Sequence, residues 1–280
     1  MNGSARLRDR LEALVAEYGP EYLDTDPLAF PHRYPDAGDR EVVAFLASAF
    51  AYGSVPQIRR TLEGMLATLG PSPRRAVEEF RGGARAFRGF VHRFHGERDL
   101  DRLLGILRRM TERSGSIERF FAEGSAGRSV REGLVSFTRR ALALDPGAGE
   151  DRGRDAGVRF FFSSPADGSA CKRLCLFLRW VVRGGDGIDL GLWSCIRPAD
   201  LVLPLDTHVA RIARHLGLTR HKAPSWAAAE EATAALRRLD PADPVKYDFA
   251  LCRLGILERC PRRRSEAACR ACMIRDVCTL

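Results

Sequence analysis

The sequence lacks several features that would place it in a familiar class. No apolar run among its 280 residues approaches the roughly 18 residues that a membrane-spanning helix needs, so we expect a soluble protein without a membrane segment. The charged, helix-patterned N-terminus (MNGSARLRDRLEALVAEYG) has no apolar core of a signal peptide. Alternation of polar and apolar residues is also missing, and no internal repeat occurs, which leaves helices as the expected secondary structure.

The cysteine content indicates the cellular compartment of the protein, and the net charge bears on its binding partner. Eight cysteines without a secretory signal indicate thiols or metal ligands in a reducing compartment, so we expect a cytoplasmic protein rather than a disulfide framework. The formal charge of +9 and the pI of about 9.5 are compatible with a nucleic-acid partner. Since the 45 basic residues are spread along the chain, charge alone does not decide for such a partner.

Helical periodicity covers most of the chain and predicts an all-α protein. Apolar residues recur at intervals of three and four, and glycine or proline separates most of the segments. We expect helices over residues 5–18, 56–69, 73–80, 99–112, 116–122, 128–143, 170–183 and 207–216, and one more between Asp39 and Gly53. Residues 145–157, rich in glycine and charge, predict a surface loop.

An Arg-rich stretch with three phenylalanines, residues 81–98, allows two interpretations. Interleaved Arg and Phe can bind nucleic acid. The spacings of three and four between Phe87, Phe90 and Phe94 are more typical of side chains that face a core, and we expect these three to be buried.

The stretch PLDTHV (204–209) places a carboxylate between an apolar segment and a new helix. The apolar positions Val209, Ile212 and Leu216 define a helical face that Gly217 can end, so Asp206 or Thr207 is the expected N-cap. A cap alone explains an aspartate here. The same position also suits a reactive acid that is held rigidly by the cap, and the sequence pattern leaves both roles open.

Four cysteines near the C-terminus predict a metal centre. Cys260, Cys269, Cys272 and Cys278 follow the pattern C-x8-C-x2-C-x5-C, in which one close pair is flanked by two single cysteines. This arrangement suits a loop around a [4Fe–4S] cluster, whereas zinc sites usually show two close pairs. Zinc and ordinary reduced thiols remain alternatives. Cys252 lies in an apolar helical pattern and is expected to be a packing thiol.

The motifs resemble those of DNA glycosylases. The cysteine pattern is similar to the C-x6-C-x2-C-x5-C tail of the endonuclease III and MutY glycosylases, with a longer first gap. The string LPLDTHVARIARHLGL is similar to the HhH-GPD superfamily segment in which a V-D-T-H-type motif carries the catalytic aspartate. Over DPLAFPHRYPD, GSACKRLCLFLRWVVR, DLGLW and DPVKYDFALCRLGIL the chain also resembles the DUF2400 family, which lies within that superfamily.

The resemblance implies a two-lobed, all-α HhH-GPD fold with a C-terminal iron–sulfur loop. Residues 31–199 would form a helical, barrel-like lobe that ends in the hairpin and the nucleophile helix. Residues 1–30 and 200–280 would form the second lobe, in which Cys260, Cys269, Cys272 and Cys278 hold a [4Fe–4S] cluster. Asp206 would be the catalytic acid.

The expected hairpin departs from the superfamily pattern. The usual L-P-G-[VI]-G-x-K is replaced by SPADGSA (164–170), so the position of the Schiff-base lysine falls on Ala170. The nearest lysine is Lys172. Archaeal 8-oxoguanine glycosylases are similar in having a long insertion between the lysine and the aspartate, and on that ground we expect Lys172 to be the nucleophile. A lysine that only contacts phosphate is the alternative.

The turn and the helix starts also suggest contacts to DNA. Backbone N–H groups at a turn that precedes a helix can bind one phosphate. The residues expected to bind DNA are Gly168, Ser169, Arg173, Arg179, His208 and Arg211. Trp193 is a candidate to stack on an extruded base, although a buried Trp in the core is the more frequent role.

Together these features predict a base-excision repair enzyme. The expected activity is that of a DNA glycosylase with AP lyase activity, acting as a monomer in the nucleoid on double-stranded DNA that contains an oxidised purine such as 8-oxoguanine. The degraded hairpin favours an alternative, a non-catalytic DNA- or RNA-binding protein on the same scaffold. A zinc protein with an unrelated interaction role is a third possibility.

Overall fold

The protein is built almost entirely from helices, which confirms the all-α prediction. The computed structural model describes residues 3–83, 87–145, 147, 156–257, 260–261, 263 and 265–279. Its α-helices are α1 (Gly3–Glu17), α2 (Ala37–Ala49), α3 (Val55–Leu69), α4 (Pro73–Glu78), α5 (Glu97–Ser114), α6 (Ile117–Ala122), α7 (Val130–Ala143), α8 (Ala156–Phe161), α9 (Lys172–Val182), α10 (Thr207–His215), α11 (Trp226–Arg237), α12 (Asp248–Leu257) and α13 (Glu266–Cys269). The loop expected over 145–157 lies largely outside the described residues.

The β-strands of the described residues form one short antiparallel hairpin. Strand β1 (Val91–His92) pairs with β2 (His95–Gly96), with His92 opposite His95. The hairpin overturns part of the expectation for the three phenylalanines. Phe87 is buried and Phe90 half-buried, but Phe94 lies at the hairpin tip with 60% of its surface exposed. None of the helices in the described ranges has the length and apolarity that crossing a membrane requires.

Helix α9 lies at the centre of the packing and positions Lys172 at its first turn. Its residues from Arg173 to Val182 are all buried, as expected for a helix that other elements surround on every side. It packs mainly against α2, where the ring centroids of Phe45 and Phe177 are 5.1 Å apart.

Helix α12 supports α10 from behind. The two helices approach closely at Gly255, where an added Cβ would lie only 2.8 Å from Cβ of His208. A side chain at that position would push the start of α10 away. Helix α1 also packs against α12. The division of the chain into two lobes with the expected boundaries stays a prediction.

Arg179 joins α9 to α12 through a buried ion-pair network, and its expected role in DNA binding is wrong. The side chain is 2% exposed, and although it reaches the wall of one cavity, its guanidinium is held by carboxylates rather than open to a phosphate on the surface. Its Nη1 lies 2.5 Å from Oδ2 of Asp248 and its Nη2 3.0 Å from Oδ1 of Asp189. The helical periodicity places Arg179 outside the apolar face of α9, which is correct. The face that carries Arg179 is, however, also covered by other parts of the protein. The guanidinium therefore holds the helix of Lys172 against α12.

We expect Arg179→Met to destabilise the protein strongly, because it leaves Asp248 buried without its cation. Breaking a buried ion pair costs about 3–5 kcal/mol of the free energy of unfolding. Urea denaturation measures this loss. The matched control is Arg197→Met, which removes an exposed pair with Asp200 and should not change stability measurably. Equal effects of the two substitutions would contradict the role assigned to Arg179.

Candidate active site and cysteine centre

Lys172 and Asp206 line the same cavity. This active-site cavity has a volume of about 610 Å³ and lies where the starts of α9 and α10 meet α12 and the segment after α2. The aspartate and the lysine are far apart in sequence, so the fold brings them together. A volume of this size is in the range that binds a small organic ligand or a single nucleotide.

Asp206 is the N-cap of α10, as the sequence predicts. Its Oδ1 accepts hydrogen bonds from the backbone N–H of His208 at 2.8 Å and of Val209 at 2.7 Å. Both bonds use the same oxygen, and Oδ2 accepts no hydrogen bond from the residues that the structure describes. The cap therefore fixes the carboxylate and leaves one oxygen available for a reacting atom or a proton.

Lys172 is the first residue of α9. The helix begins abruptly because Cys171 before it has a left-handed backbone, with φ of 48°. The Nζ of Lys172 donates a hydrogen bond to the carbonyl oxygen of Ala51 at 2.8 Å. That bond holds the amine at the cavity wall and uses one of its hydrogens. The chain has only two other lysines, Lys222 and Lys246, and neither lines this cavity.

The turn before α9 keeps two backbone donors free for a ligand. Pro165–Asp167 form a 3-10 helix that ends at Gly168, whose φ of 73° suits glycine, and Oγ of Ser169 accepts from the N–H of Cys171 at 3.2 Å. The N–H groups of Ser169 and Ala170 meet no acceptor among the described residues. Gly168 and Ser169 can therefore still contact a phosphate, as expected, and that role stays a prediction.

The sequence analysis missed several titratable residues of the cavity, among them Asp248, Tyr52 and Cys252. Asp248 lines the cavity, and its burial raises the pKa of its carboxyl to about 6 despite the nearby Arg179. Tyr52 lines it as well, and burial raises the pKa of its hydroxyl. Cys252, expected to be a packing thiol, reaches the cavity wall, where burial raises its pKa to about 12 and keeps it protonated. The sequence feature that could have identified Asp248 is its position as a charged residue at the start of an otherwise apolar helix.

Arg173 and His208 line the cavity rather than an open surface. Arg173 is buried with its guanidinium 3.3 Å above the ring centroid of Phe160, and burial lowers its pKa to about 10. Arg173 is thus placed to contact a group inside the cavity and not a phosphate on the surface. His208 has its Nδ1 3.1 Å from the carbonyl oxygen of Gly255.

Trp193 does not belong to this cavity, and the expectation that it stacks on a base is wrong. The side chain is 5% exposed, and its Nε1 donates to Oε1 of Glu41 at 2.7 Å. Its ring packs against Phe177 and Phe121, with centroid distances of 5.2 and 5.7 Å. Trp193 is a core residue with a satisfied polar group.

The four tail cysteines, Cys260, Cys269, Cys272 and Cys278, line one further cavity, the cysteine cavity, together with His215 and Ile274. Burial raises the pKa of the Cys260 and Cys272 thiols, and the neighbouring tail cysteines act in the same direction. No set of three or more His, Cys, Asp or Glu side chains in the described ranges is close enough to hold a single metal ion. Cys252 is not part of this group.

Two buried side-chain nitrogens near the tail cysteines have no hydrogen-bond partner within the described part of the chain. They are Nε of Arg211 and Nε2 of His215. Nδ1 of His215 lies 3.9 Å from Sγ of Cys260, and Nη2 of Arg211 lies 3.4 Å from Nδ1 of His208. Arg211 is half-buried, and its expected contact with DNA stays a prediction. Unpaired nitrogens beside the tail cysteines fit a bound cluster whose sulfides accept hydrogen bonds.

These observations define a mostly helical protein with a lysine and an aspartate in one cavity and four cysteines around another. The chain belongs to the family described as Protein of unknown function (DUF2400), whose model matches residues 26–257. The match includes Lys172 and Asp206 and ends before the first tail cysteine, Cys260. No curated protein and no solved structure matches the chain.

Two substitutions of Asp206 distinguish the role of its side chain as a helix cap from the role of its negative charge. We expect Asp206→Ala to lower the free energy of unfolding by about 1 kcal/mol, because two N–H groups at the start of α10 lose their acceptor. Asp206→Asn should be close to wild type, since Asn caps as well as Asp. Urea denaturation compares them. An Asn variant as unstable as the Ala variant would show that the fold needs the negative charge.

Iron and sulfide analysis of cysteine variants tests whether the cysteine cavity holds an iron–sulfur cluster. We expect wild-type protein purified without oxygen to be brown and to contain iron and acid-labile sulfide, and Cys269→Ser or Cys272→Ser to lose both. The control is Cys195→Ser, which changes an exposed thiol outside the cysteine cavity and should leave the iron content unchanged. Colourless wild-type protein with zinc and no iron would contradict the cluster.

Proposed function

We propose that the protein is a base-excision repair enzyme, a DNA glycosylase with AP lyase activity that acts on an oxidised purine in double-stranded DNA. The placement of Lys172 and Asp206 on the wall of one cavity carries the proposal. The proposal includes the two-lobed HhH-GPD fold, a monomeric state and work in the nucleoid. The choice of an 8-oxoguanine-like base depends on the similarity to the archaeal enzymes in the spacing of these two residues.

Asp206 would stabilise the charge that develops on the sugar. When the bond between C1′ and the base breaks, its electron pair leaves with the base and the deoxyribose becomes positive. A carboxylate that is fixed by two hydrogen bonds on one oxygen can direct its other oxygen at C1′ without further ordering. The cap at the start of α10 thus becomes part of the catalytic arrangement.

Lys172 would be the nucleophile. Its neutral amine attacks C1′, the base departs with the bonding electrons, and loss of a proton from nitrogen as the sugar ring opens gives a Schiff base. β-Elimination can then break the strand on the 3′ side. Attack requires a free electron pair on Nζ, so the amine must first lose a proton. Asp206 is the carboxylate of this cavity that is available to accept it, because Asp248 is paired with Arg179 and Asp26 with Arg253.

The aromatic side chains of the cavity would hold the extruded base in place of Trp193. Tyr52 and Phe160 both line the cavity, with ring centroids 4.9 Å apart and steeply inclined rings. An aromatic face can stack on any base, and the buried Arg173 offers hydrogen-bond donors at the same wall. A base must leave the helix before C1′ becomes accessible, and this wall gives it an apolar place to bind.

The tail cysteines would hold a [4Fe–4S] cluster, with zinc as the alternative. Such a cluster would supply structural order to the C-terminal segment when it is bound. Arg211 and His215 would donate hydrogen bonds to it through their unpaired nitrogens. Both residues belong to α10, so this contact would also support the helix that begins at Asp206.

A non-catalytic nucleic-acid-binding protein is the second candidate. The hydrogen bond from Lys172 to Ala51 favours it, because an amine that only supports a backbone carbonyl has a structural role. The altered hairpin sequence favours it as well. The free oxygen of Asp206 argues for the enzyme, since binding a polyanion gains nothing from a carboxylate in the cavity.

Borohydride trapping distinguishes the two candidates. We expect wild-type protein to form a covalent adduct with a duplex that contains 8-oxoguanine, and Lys172→Gln to form none, because the amine is lost. Lys222→Gln is the matched control and should trap normally, since Lys222 is exposed and outside the cavity. Asp206→Asn should bind the duplex but release no base. The absence of any wild-type adduct across a panel of oxidised-purine duplexes would contradict the lyase activity.

A further inference from the structure

The β1–β2 hairpin exposes apolar side chains that the core does not use. Val91 and Phe94 are 69% and 60% exposed, and with Leu257 they are the large apolar side chains most open to water among the described residues. Arg93, beside Phe94 at the tip, has a left-handed backbone with φ of 55°. An arginine in that conformation is strained, so the surrounding structure must hold the tip in place.

Buried histidines on the inner side make the hairpin rigid. Nδ1 of His92 lies 2.8 Å from Oγ1 of Thr61, and its Nε2 lies 2.9 Å from the carbonyl oxygen of Tyr52. Nε2 of His95 lies 2.8 Å from the carbonyl oxygen of Gly157, and its Nδ1 hydrogen-bonds the hydroxyl of Tyr52. Both histidines are almost completely buried. The exposure of Phe94 is therefore a fixed property of the fold.

The hairpin tip stands at the rim of the active-site cavity. The ring centroid of Phe94 is 5.6 Å from that of Tyr52 and 5.0 Å from that of Phe160, and both of these residues line the cavity. The Arg93 side chain lies against Gly53, which also lines it. Phe94 thus lies directly beside two side chains of the cavity wall.

The outer side of the hairpin borders a basic groove. Arg60 and Arg88 are exposed and line this groove together with Val91. Among the residues that the structure describes, no acidic side chain lines it. The arginines of the groove can bind the phosphates of a nucleic-acid strand. The aromatic side chains at the cavity rim, on the other side of the hairpin, can stack on its bases.

We propose that Phe94 inserts into the base stack of duplex DNA and fills the space left by the base that enters the active-site cavity. The inference depends on the proposed excision activity. An extruded base leaves a gap whose faces lose their stacking partners, and an apolar ring that enters this gap restores part of the contact. Arg60, Arg88 and Arg93 then hold the phosphates beside the gap.

The ratio of duplex to single-strand activity tests this role. We expect Phe94→Ala to reduce excision of 8-oxoguanine from a duplex by about tenfold or more, because stacking on an aromatic side chain is lost. Excision from a single strand should stay unchanged, since no base pair has to open there. Phe94→Leu should retain most duplex activity. Leu257→Ala, which changes an exposed apolar side chain that lines neither the active-site cavity nor the groove, is the control.

A binding measurement separates a failure of this inference from a failure of the enzyme assignment. In the Asp206→Asn background, a duplex with 2-aminopurine at the target position should become fluorescent on binding, and the added Phe94→Ala change should remove most of that signal. Equal signals in both proteins, or an equal loss of duplex and single-strand activity, would overturn the role of Phe94 alone. A protein that binds no duplex would overturn both proposals.

Discussion

The buried guanidinium of Arg179 is the interaction on which the rest of the site depends. It extends from α9, which begins with Lys172, to Asp248 at the start of α12, and α12 in turn supports the start of α10 and Asp206. The distance between the amine and the acid is therefore set by one ion-pair network and one close helix contact at Gly255. Because a buried charge without a partner is very unfavourable, the network allows few other arrangements of these helices.

Local patterns in the sequence predicted local structure well. The Asp206 cap and the extent of α10 follow from apolar spacing and from the preference of aspartate for the N-cap, so the sequence alone sufficed. The all-α class follows from the same periodicity. The meeting of Lys172 with Asp206 could not be found in this way, because it depends on packing between distant segments; only the family resemblance brought the two residues together.

The wrong predictions share a physical cause. Periodicity identifies the apolar face of a helix but does not show whether the opposite face meets water or another part of the protein. Arg179 seemed suited to DNA because its partner Asp248 lies far away in sequence. Phe94 was grouped with Phe87 and Phe90 on helical spacing, whereas the chain turns back at that point in a hairpin that no alternating pattern announced. Asp248 was missed for the same reason, since its burial is a tertiary property.

Helix α10 has a cavity at each end, so one short helix positions both the acid and part of the cysteine cavity. Its nine residues span about 13 Å, from Asp206 at the cap to His215 beside Cys260. A ligand beside Asp206 and a group held by the tail cysteines would therefore contact opposite ends of the same element. A substitution that displaces His215 acts on the helix whose first turn holds the carboxylate.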